Sequence, residues 1–435
     1  MIRIIPSSDE KAVAALLDRR PRQNEKVRRA AGRIVERVRR DGDRALLSYA
    51  ERFDGLKGPI EVSRDEMEHE AAKVPSDVRR AIREAERNIR HVARRQIPRC
   101  WSTSPVRGVQ ISQRVVPLDV VGCYVPGGRY PLPSSLLMTA VPARVAGVKA
   151  VVAVCPRPAP VVMLAALEAG VSRFFRVGGA QAVAALAYGT RSVPRVDKIV
   201  GPGNAWVAAA KALVSADCGI DFFAGPSEIA IVSTGGRAAW IAADLIAQAE
   251  HDPDARAVFF TPSRALAIEV AREVRGQMPA AGPAPAAIAR NGAVVLSTSV
   301  DEAIALLQRM APEHAVCDSA AIAARLTRAG TVFVGGYSAQ ACGDYVTGSN
   351  HVLPTMGAAA VRGGLSAADF VRVSIVQRVS AAGLRSVAPA AITLADAEGL
   401  AAHAASIAIR LGRRTKSSGS AHRKPPNQGP GRSSG

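Results

Sequence analysis

Aromatic residues are scarce in this 435-residue sequence, at 4%, and none stands among its paired arginines. Those stretches therefore lack the rings on which nucleic-acid bases stack. Cysteine is also sparse. The six, at positions 100, 123, 155, 218, 317 and 342, form no Cys-x-x-Cys pair and follow no regular spacing. This argues against a disulfide framework or a sulfur-ligated zinc site and fits reduced thiols in a cytoplasmic enzyme. No apolar run is long enough to span a bilayer: Ala146 to Cys155 is interrupted by Lys149 and flanked by Arg144 and Arg157. The opening Met1-Ile2-Arg3-Ile4-Ile5-Pro6 turns acidic at Asp9-Glu10, unlike a secretory signal. There is no Gly-x-Gly-x-x-Gly, so a dinucleotide would have to be held by a different set of turns.

What is present is an ordinary globular composition, 48% hydrophobic and 22% charged, long enough for two or three domains. The formal net charge is +20. Part of it lies in the stretch from Gly412 to Gly435, which carries Arg413, Arg414, Lys416, Arg423, Lys424 and Arg432 and no acid. Much of the rest lies in Arg19-Arg20, Arg28-Arg29, Arg39-Arg40 and Arg79-Arg80, interleaved with Glu36, Glu51, Glu84 and Glu86. Interleaved acids describe a solvated helix face better than a nucleic-acid site.

Residues 1 to about 100 read as helical. Val27, Ala31, Ile34 and Val38 recur at helical spacing up to Gly42. Asp43 is expected to cap a second helix, Ser63 with Glu66 a third, and Pro75-Ser76 to open a longer one through Arg95. His69 and His91 read as surface residues. From about 112 the texture changes to short β-branched runs, glycine turns and alanine-rich helices, the alternation of an α/β unit with a largely parallel sheet. The turns at Gly127-Gly128, Gly178-Gly179 and Gly201-Pro202-Gly203 fall where strand carboxyl ends meet helix amino ends, where such sheets bind ligands. Each alone is no more than a tight turn.

Four stretches carry candidate chemistry. Gln248 and His251 sit three apart near the end of a helix closed by Pro253, which suits half of a metal site and equally a solvated helix end. Glu313-His314, after a helix ending near Met310, suits proton transfer better than joint ligation of one small ion. The polar stretch from Gly343 to Thr355 has the composition of a functional loop. Glu398 to His403 opens a helix running to Arg410, where both would ordinarily be surface residues.

Together these stretches resemble the histidinol dehydrogenase family from about residue 25 to 411. The motifs are Gly-Asp-Arg-Ala-Leu (42–46), Tyr-Val-Pro-Gly-Gly (124–128), Val-Gly-Gly-Ala-Gln-Ala (177–182) and Val-Asp-Lys-Ile-Val-Gly-Pro-Gly-Asn (196–204). Ala-Gly-Pro-Ser-Glu (224–228), Gln-Ala-Glu-His (248–251), Ala-Pro-Glu-His (311–314), the 343–355 stretch and Glu-Gly-Leu with His403 follow in family order.

The resemblance implies two incomplete Rossmann-like parallel-sheet domains with a helical N-terminal region and a C-terminal dimerisation arm. The expected division is an N-terminal arm (1–16), a first α/β domain (17–123 with 229–365), an inserted second domain (124–228), a helical dimer arm (366–411) and a disordered basic tail (412–435). It implies one Zn2+ per subunit on Gln248, His251, Asp344 and His403, the last reaching across a homodimer. Glu313 and His314 become the acid–base pair. Ser227, His314, His351 and Glu398 become substrate contacts alongside the metal ligands, and Tyr124, Gln181 and Asn204 contacts to NAD. The implied reaction is a four-electron oxidation of L-histidinol through the aldehyde to L-histidine in the cytoplasm. The metal orients the amino alcohol, and no membrane or specific nucleic-acid partner is expected. The alternatives are a dehydrogenase of the same build acting on another small polar alcohol, and a basic nucleic-acid-binding protein on an enzyme scaffold. The chain departs from the family pattern at Arg129-Tyr130, at Ser233-Thr234 and at Ala339-Gln340, which stands where a Pro-acidic pair is frequent.

Overall fold

The structure, a computed structural model, describes residues 2–17, 25–127, 130–222 and 225–412. The chain divides into two compact units, one of residues 1–97 with 117–372 and one of 98–116 with 373–435.

The first unit holds two six-stranded sheets. Sheet I runs in the order Arg3–Pro6, Gly292–Leu296, Arg256–Thr261, Glu228–Val232, His314–Cys317, Thr331–Val334, all neighbours parallel. Sheet II runs Glu61–Val62, Arg173–Phe175, Ala150–Val154, Val120–Tyr124, Lys198–Val200, Gly219–Ile220, parallel except for the Glu61–Val62 edge. Leaving aside the edge strands Arg3–Pro6 and Glu61–Val62, each sheet has the 3-2-1-4-5 order of an incomplete doubly wound fold.

The central strands read as continuous apolar runs because both faces are covered. In sheet II, Val151 and Ala153 pack against the helices Arg64–Ala72, Ser76–Gln96, Pro133–Val145 and Pro160–Glu168. Val152 and Val154 face Glu25–Asp41, Gly179–Tyr188 and Ala205–Val214. In sheet I, Ile229, Ile231 and Phe259 face Ala238–Ala249 and Arg264–Gln277, while Ala230, Val232 and Phe260 face Glu10–Leu17 and Val300–Met310.

Strand membership cuts the chain differently from the sequence-based division. Val120–Tyr124, of which residues 120–123 are assigned there to the domain completed by 229–365, sits at the centre of sheet II, between Ala150–Val154 and Lys198–Val200. Arg3–Pro6 is a strand rather than helix or free arm, paired with Gly292–Leu296. Asp43 caps nothing: Gly42, at φ 55°, takes the cap position, and the Asp43 carboxylate accepts from the Ser192 amide and hydroxyl. Ser63 caps Arg64–Ala72 as expected, accepting from the Glu66 amide.

The second unit is not purely helical. Trp101–Val106 and Val109–Pro117 form an antiparallel hairpin, flanked by Val371–Val379, and helices Ala381–Ala397 and Ala401–Ile409 follow. Glu398 ends the first of these helices instead of opening the second, because Gly399 at φ 75° breaks the chain there. Residues 413–435, most of the expected tail, lie outside the described residues.

Candidate active site

Glu313 and His314 stand at the amino ends of the strands of sheet I. The helix Val300–Met310 ends on Ala311 in the left-handed conformation at φ 45°, and Pro312 then delivers Glu313 and His314 to the start of His314–Cys317. Register pairs His314 with Ile229, so both residues meet the backbone of Glu228. The Glu228 amide donates to Glu313 Oε2 at 2.9 Å, and His314 Nδ1 lies 3.3 Å from the Glu228 carbonyl. Ser227 adds a side-chain hydrogen bond to Glu313.

Burial governs the electrostatics here. The His314 ring is pushed down to about 4, chiefly by loss of water, against the pull of Asp344. Glu313 is raised well above the usual carboxylate range by burial and then by the like charges of Glu228 and Asp344. Glu228, fully buried, rises to about 7 by burial although Arg256 lies 3.0 Å away. Burial thus favours the uncharged imidazole of His314 at neutral pH.

The helices that carry Gln248 and Asp344 are in contact. Gln248 is buried near the end of Ala238–Ala249, and its Oε1 has no hydrogen-bond partner. His251 follows just past the helix cap, exposed, with Nδ1 3.2 Å from the Ala247 carbonyl. It still acts electrostatically on His314 and His351. Asp344 lies not in a loop but in the helix Gln340–Tyr345, with Oδ1 3.7 Å from His314 Nε2. His351 Nδ1 lies 2.8 Å from the Asp344 carbonyl, and burial holds its ring below the usual histidine value. Among the described residues no three His, Cys, Asp or Glu side chains form a metal cluster by themselves. Glu398 and His403 belong to the second unit and are exposed.

Tyr124, Gln181 and Asn204 stand at the carboxyl ends of strands of sheet II. Tyr124 closes its strand, and its hydroxyl accepts from the Gly179 amide at 3.0 Å. Gln181 Nε2 donates to Asp54 Oδ2, which also accepts from the Gly178 amide. Asn204 caps Ala205–Val214, accepting from the Trp206 and Val207 amides and leaving its NH2 free of that task. The turn before it is held from below. Lys211 and Asp221 form a buried ion pair, Lys211 Nζ donates to the Gly201 carbonyl at 3.0 Å, and Asp221 Oδ2 accepts from the Gly201 amide at 2.7 Å.

Several of these residues escaped the sequence reading. Asp54, Lys211 and Asp221 stand in no recognisable pattern, although a lone lysine in the alanine-rich Ala205–Val214 is the kind of charge that needs a partner when buried. Glu228 stands in the sequence only as the last residue of the Ala-Gly-Pro-Ser-Glu motif. Gln340 was visible only as a departure from the family pattern, yet it is fully buried between His314 and Asp344.

A buried carboxyl–imidazole pair at the strand amino ends of one doubly wound sheet, with glycine turns at the strand carboxyl ends of a second, is the architecture of an α/β enzyme. The chain belongs to the histidinol dehydrogenase family, whose sequence profile matches residues 17–411. It is 45% identical over 415 residues to the histidinol dehydrogenase of Geobacter sulfurreducens, covering 92% of this chain and 96% of the relative. It is 44% identical over 416 residues to that of Brucella suis, covering 92% and 97%. The crystal structure of histidinol dehydrogenase from Elizabethkingia anophelis superposes with a TM-score of 0.89 at 30% identity, covering 95% of this chain and 98% of that one. No helix among the described residues is long and apolar enough to cross a membrane.

Proposed function

We propose that the protein oxidises L-histidinol through the aldehyde to L-histidine, the reaction its relatives' names point to. The observation that supports this most directly is the buried Glu313–His314 pair beside Asp344. Neutral His314 is the base for the alcohol proton. Glu313, held at Ser227 and the Glu228 amide, takes a proton from the water that adds to the aldehyde. Its raised affinity for protons suits transfer near neutrality once positive charge enters the site.

The residues fit a zinc ion. Gln248 Oε1 is a buried oxygen without a partner, and Gln248, His251, Asp344 and His403 supply the nitrogen and oxygen donors that zinc accepts. When bound, the ion orients the amino alcohol; when bound, NAD accepts the hydride of each oxidation. For NAD the support is Tyr124, Gln181 and Asn204 around three close turns. Beside Asp54 lies a cavity of about 540 Å³ bordered by Lys57, Arg157 and Arg176, the last ion-paired with Glu66 of the same wall, so that Lys57 and Arg157 are the cations offered to its diphosphate. His403 would come from a second copy of the chain: the second unit leaves Ile375, Leu394, Leu400 and Ile409 exposed, a surface suited to covering by that copy.

The test counts NADH per L-histidinol consumed by zinc-loaded protein. Two, abolished by a chelator and restored by zinc, supports the four-electron reaction; no turnover by protein that keeps its zinc points to another alcohol. His403→Asn is expected to lower zinc content, and full retention would remove it from the ligand set. Mixing inactive His403→Asn and Asp344→Asn chains should restore part of the activity if each site draws on both copies.

A further inference from the structure

We infer that Gln340 is a positioning residue that fixes the tautomer of His314, keeping the lone pair on Nε2 and the proton on Nδ1. This rests on the reading of His314 as the base for the alcohol proton. Gln340 opens the helix Gln340–Tyr345 and is fully buried. Its Nε2 donates to Asp344 Oδ2 at 2.7 Å and lies 3.3 Å from His314 Nε2. Its Oε1 is buried without a hydrogen-bond partner.

The two ends of the imidazole are read by opposite chemistry. At Nδ1 stands the Glu228 carbonyl, 3.3 Å away, which can only accept, so Nδ1 must carry hydrogen to bond there. At Nε2 stands an amide NH2, which can only donate, so Nε2 must present its lone pair. Both neighbours select the same tautomer. The amide cannot be turned over, because its carbonyl would then face the Asp344 carboxylate at 2.7 Å, acceptor against acceptor.

One NH2 therefore does two things. Its first hydrogen holds Asp344, 3.7 Å from the ring; its second keeps Nε2 as the atom able to take a proton. With both donors removed, the Nδ1–H form keeps only its bond to the Glu228 carbonyl, and the other tautomer, with Nε2–H facing Asp344, becomes competitive. The orphaned Oε1 is the cost of using both hydrogens of the NH2 group in this way.

The experiment uses full-length protein labelled with 15N in its seven histidines. His314 is assigned by the signal lost in His314→Asn, and its ring nitrogens report which one carries hydrogen. The wild type should show a bare Nε2 and a protonated Nδ1. Gln340→Met, close in shape and without donors, should show a mixture and a kcat for the alcohol step lower by about tenfold, with KM changed less than about twofold. Gln340→Glu, presenting an acceptor where a donor stood, should draw a proton onto Nε2. Zinc content, measured on each variant, separates loss of the tautomer from loss of Asp344 as a ligand. A wild-type Nε2–H form, or a Gln340→Met spectrum identical to wild type, overturns the inference. A shifted tautomer with unchanged kcat supports the tautomer lock and instead overturns the role of His314 as base.

Discussion

At the scale of single residues, the proposed function gives Glu313 and His314 different work. Glu313→Gln keeps the shape of the side chain but cannot take a proton, so it should slow oxidation of the aldehyde by about 100-fold or more and the alcohol step much less. Assays started separately from L-histidinal and L-histidinol check this; equal losses contradict the division of roles. Glu228 makes a second prediction, through pH. Its carboxyl rises from 4.5 in the unfolded chain to about 7 in the fold. The stability it contributes is complete below pH 4.5 and is lost as pH rises toward 7, a change on the order of 3 kcal/mol. Glu228→Gln should remove that slope, so the variant gains on the wild type between these limits in urea titrations. Parallel curves would show the buried group to be ionised throughout. Glu313, His314, Asp344 and Gln248 were legible in the sequence because their motifs are contiguous. Glu228 with Arg256, and Gln340 with His314, were not: their partners lie 28 and 26 positions apart and meet only through strand register and the placing of one short helix.

At the scale of elements, the two sheets use opposite ends. Tyr124, Gln181 and Asn204 lie at strand carboxyl ends, as the glycine turns led one to expect, whereas Glu313 and His314 lie at strand amino ends, where no general rule for open sheets places chemistry. The pairing of helix and strand types was readable from hydrophobic period. Arg3–Pro6 was not, since three exposed residues and one buried isoleucine carry no periodic signal. The turn at Gly201 is the most exacting of these features. Its φ is +115°, and a Cβ there would stand 2.2 Å from the Tyr124 carbonyl oxygen. Gly201→Ala should therefore destabilise the fold by about 1–3 kcal/mol and raise the KM for NAD well above that for L-histidinol. Thermal melts and initial-rate kinetics read both effects; an unchanged KM for NAD would separate the turn from the cofactor.

At the scale of the whole molecule, charge and chemistry are separate matters. Several exposed arginines on the helices are paired, as in Arg29 with Glu25, Arg64 with Glu68 and Arg83 with Glu168. Such pairs contribute little to stability. The residues from 413 onward carry six unopposed basic groups. Removing 413–435 should lower the salt concentration needed to elute the protein from a DNA column while leaving turnover of L-histidinol unchanged. Undiminished retention would place the attraction on the body of the enzyme.

The strand Arg3–Pro6 also sets an order of events during synthesis. Arg3 pairs with Ala293, 290 positions later, while the strands of sheet II all fall between residues 61 and 220. On a ribosome adding ~5–20 residues each second, the first strand waits roughly 15 to 60 s for its neighbour to be translated. Sheet II can close in that interval without it. The nascent chain thus carries an unpaired edge at its leading end until the strand that covers it emerges, a vulnerability to aggregation that the finished enzyme does not display.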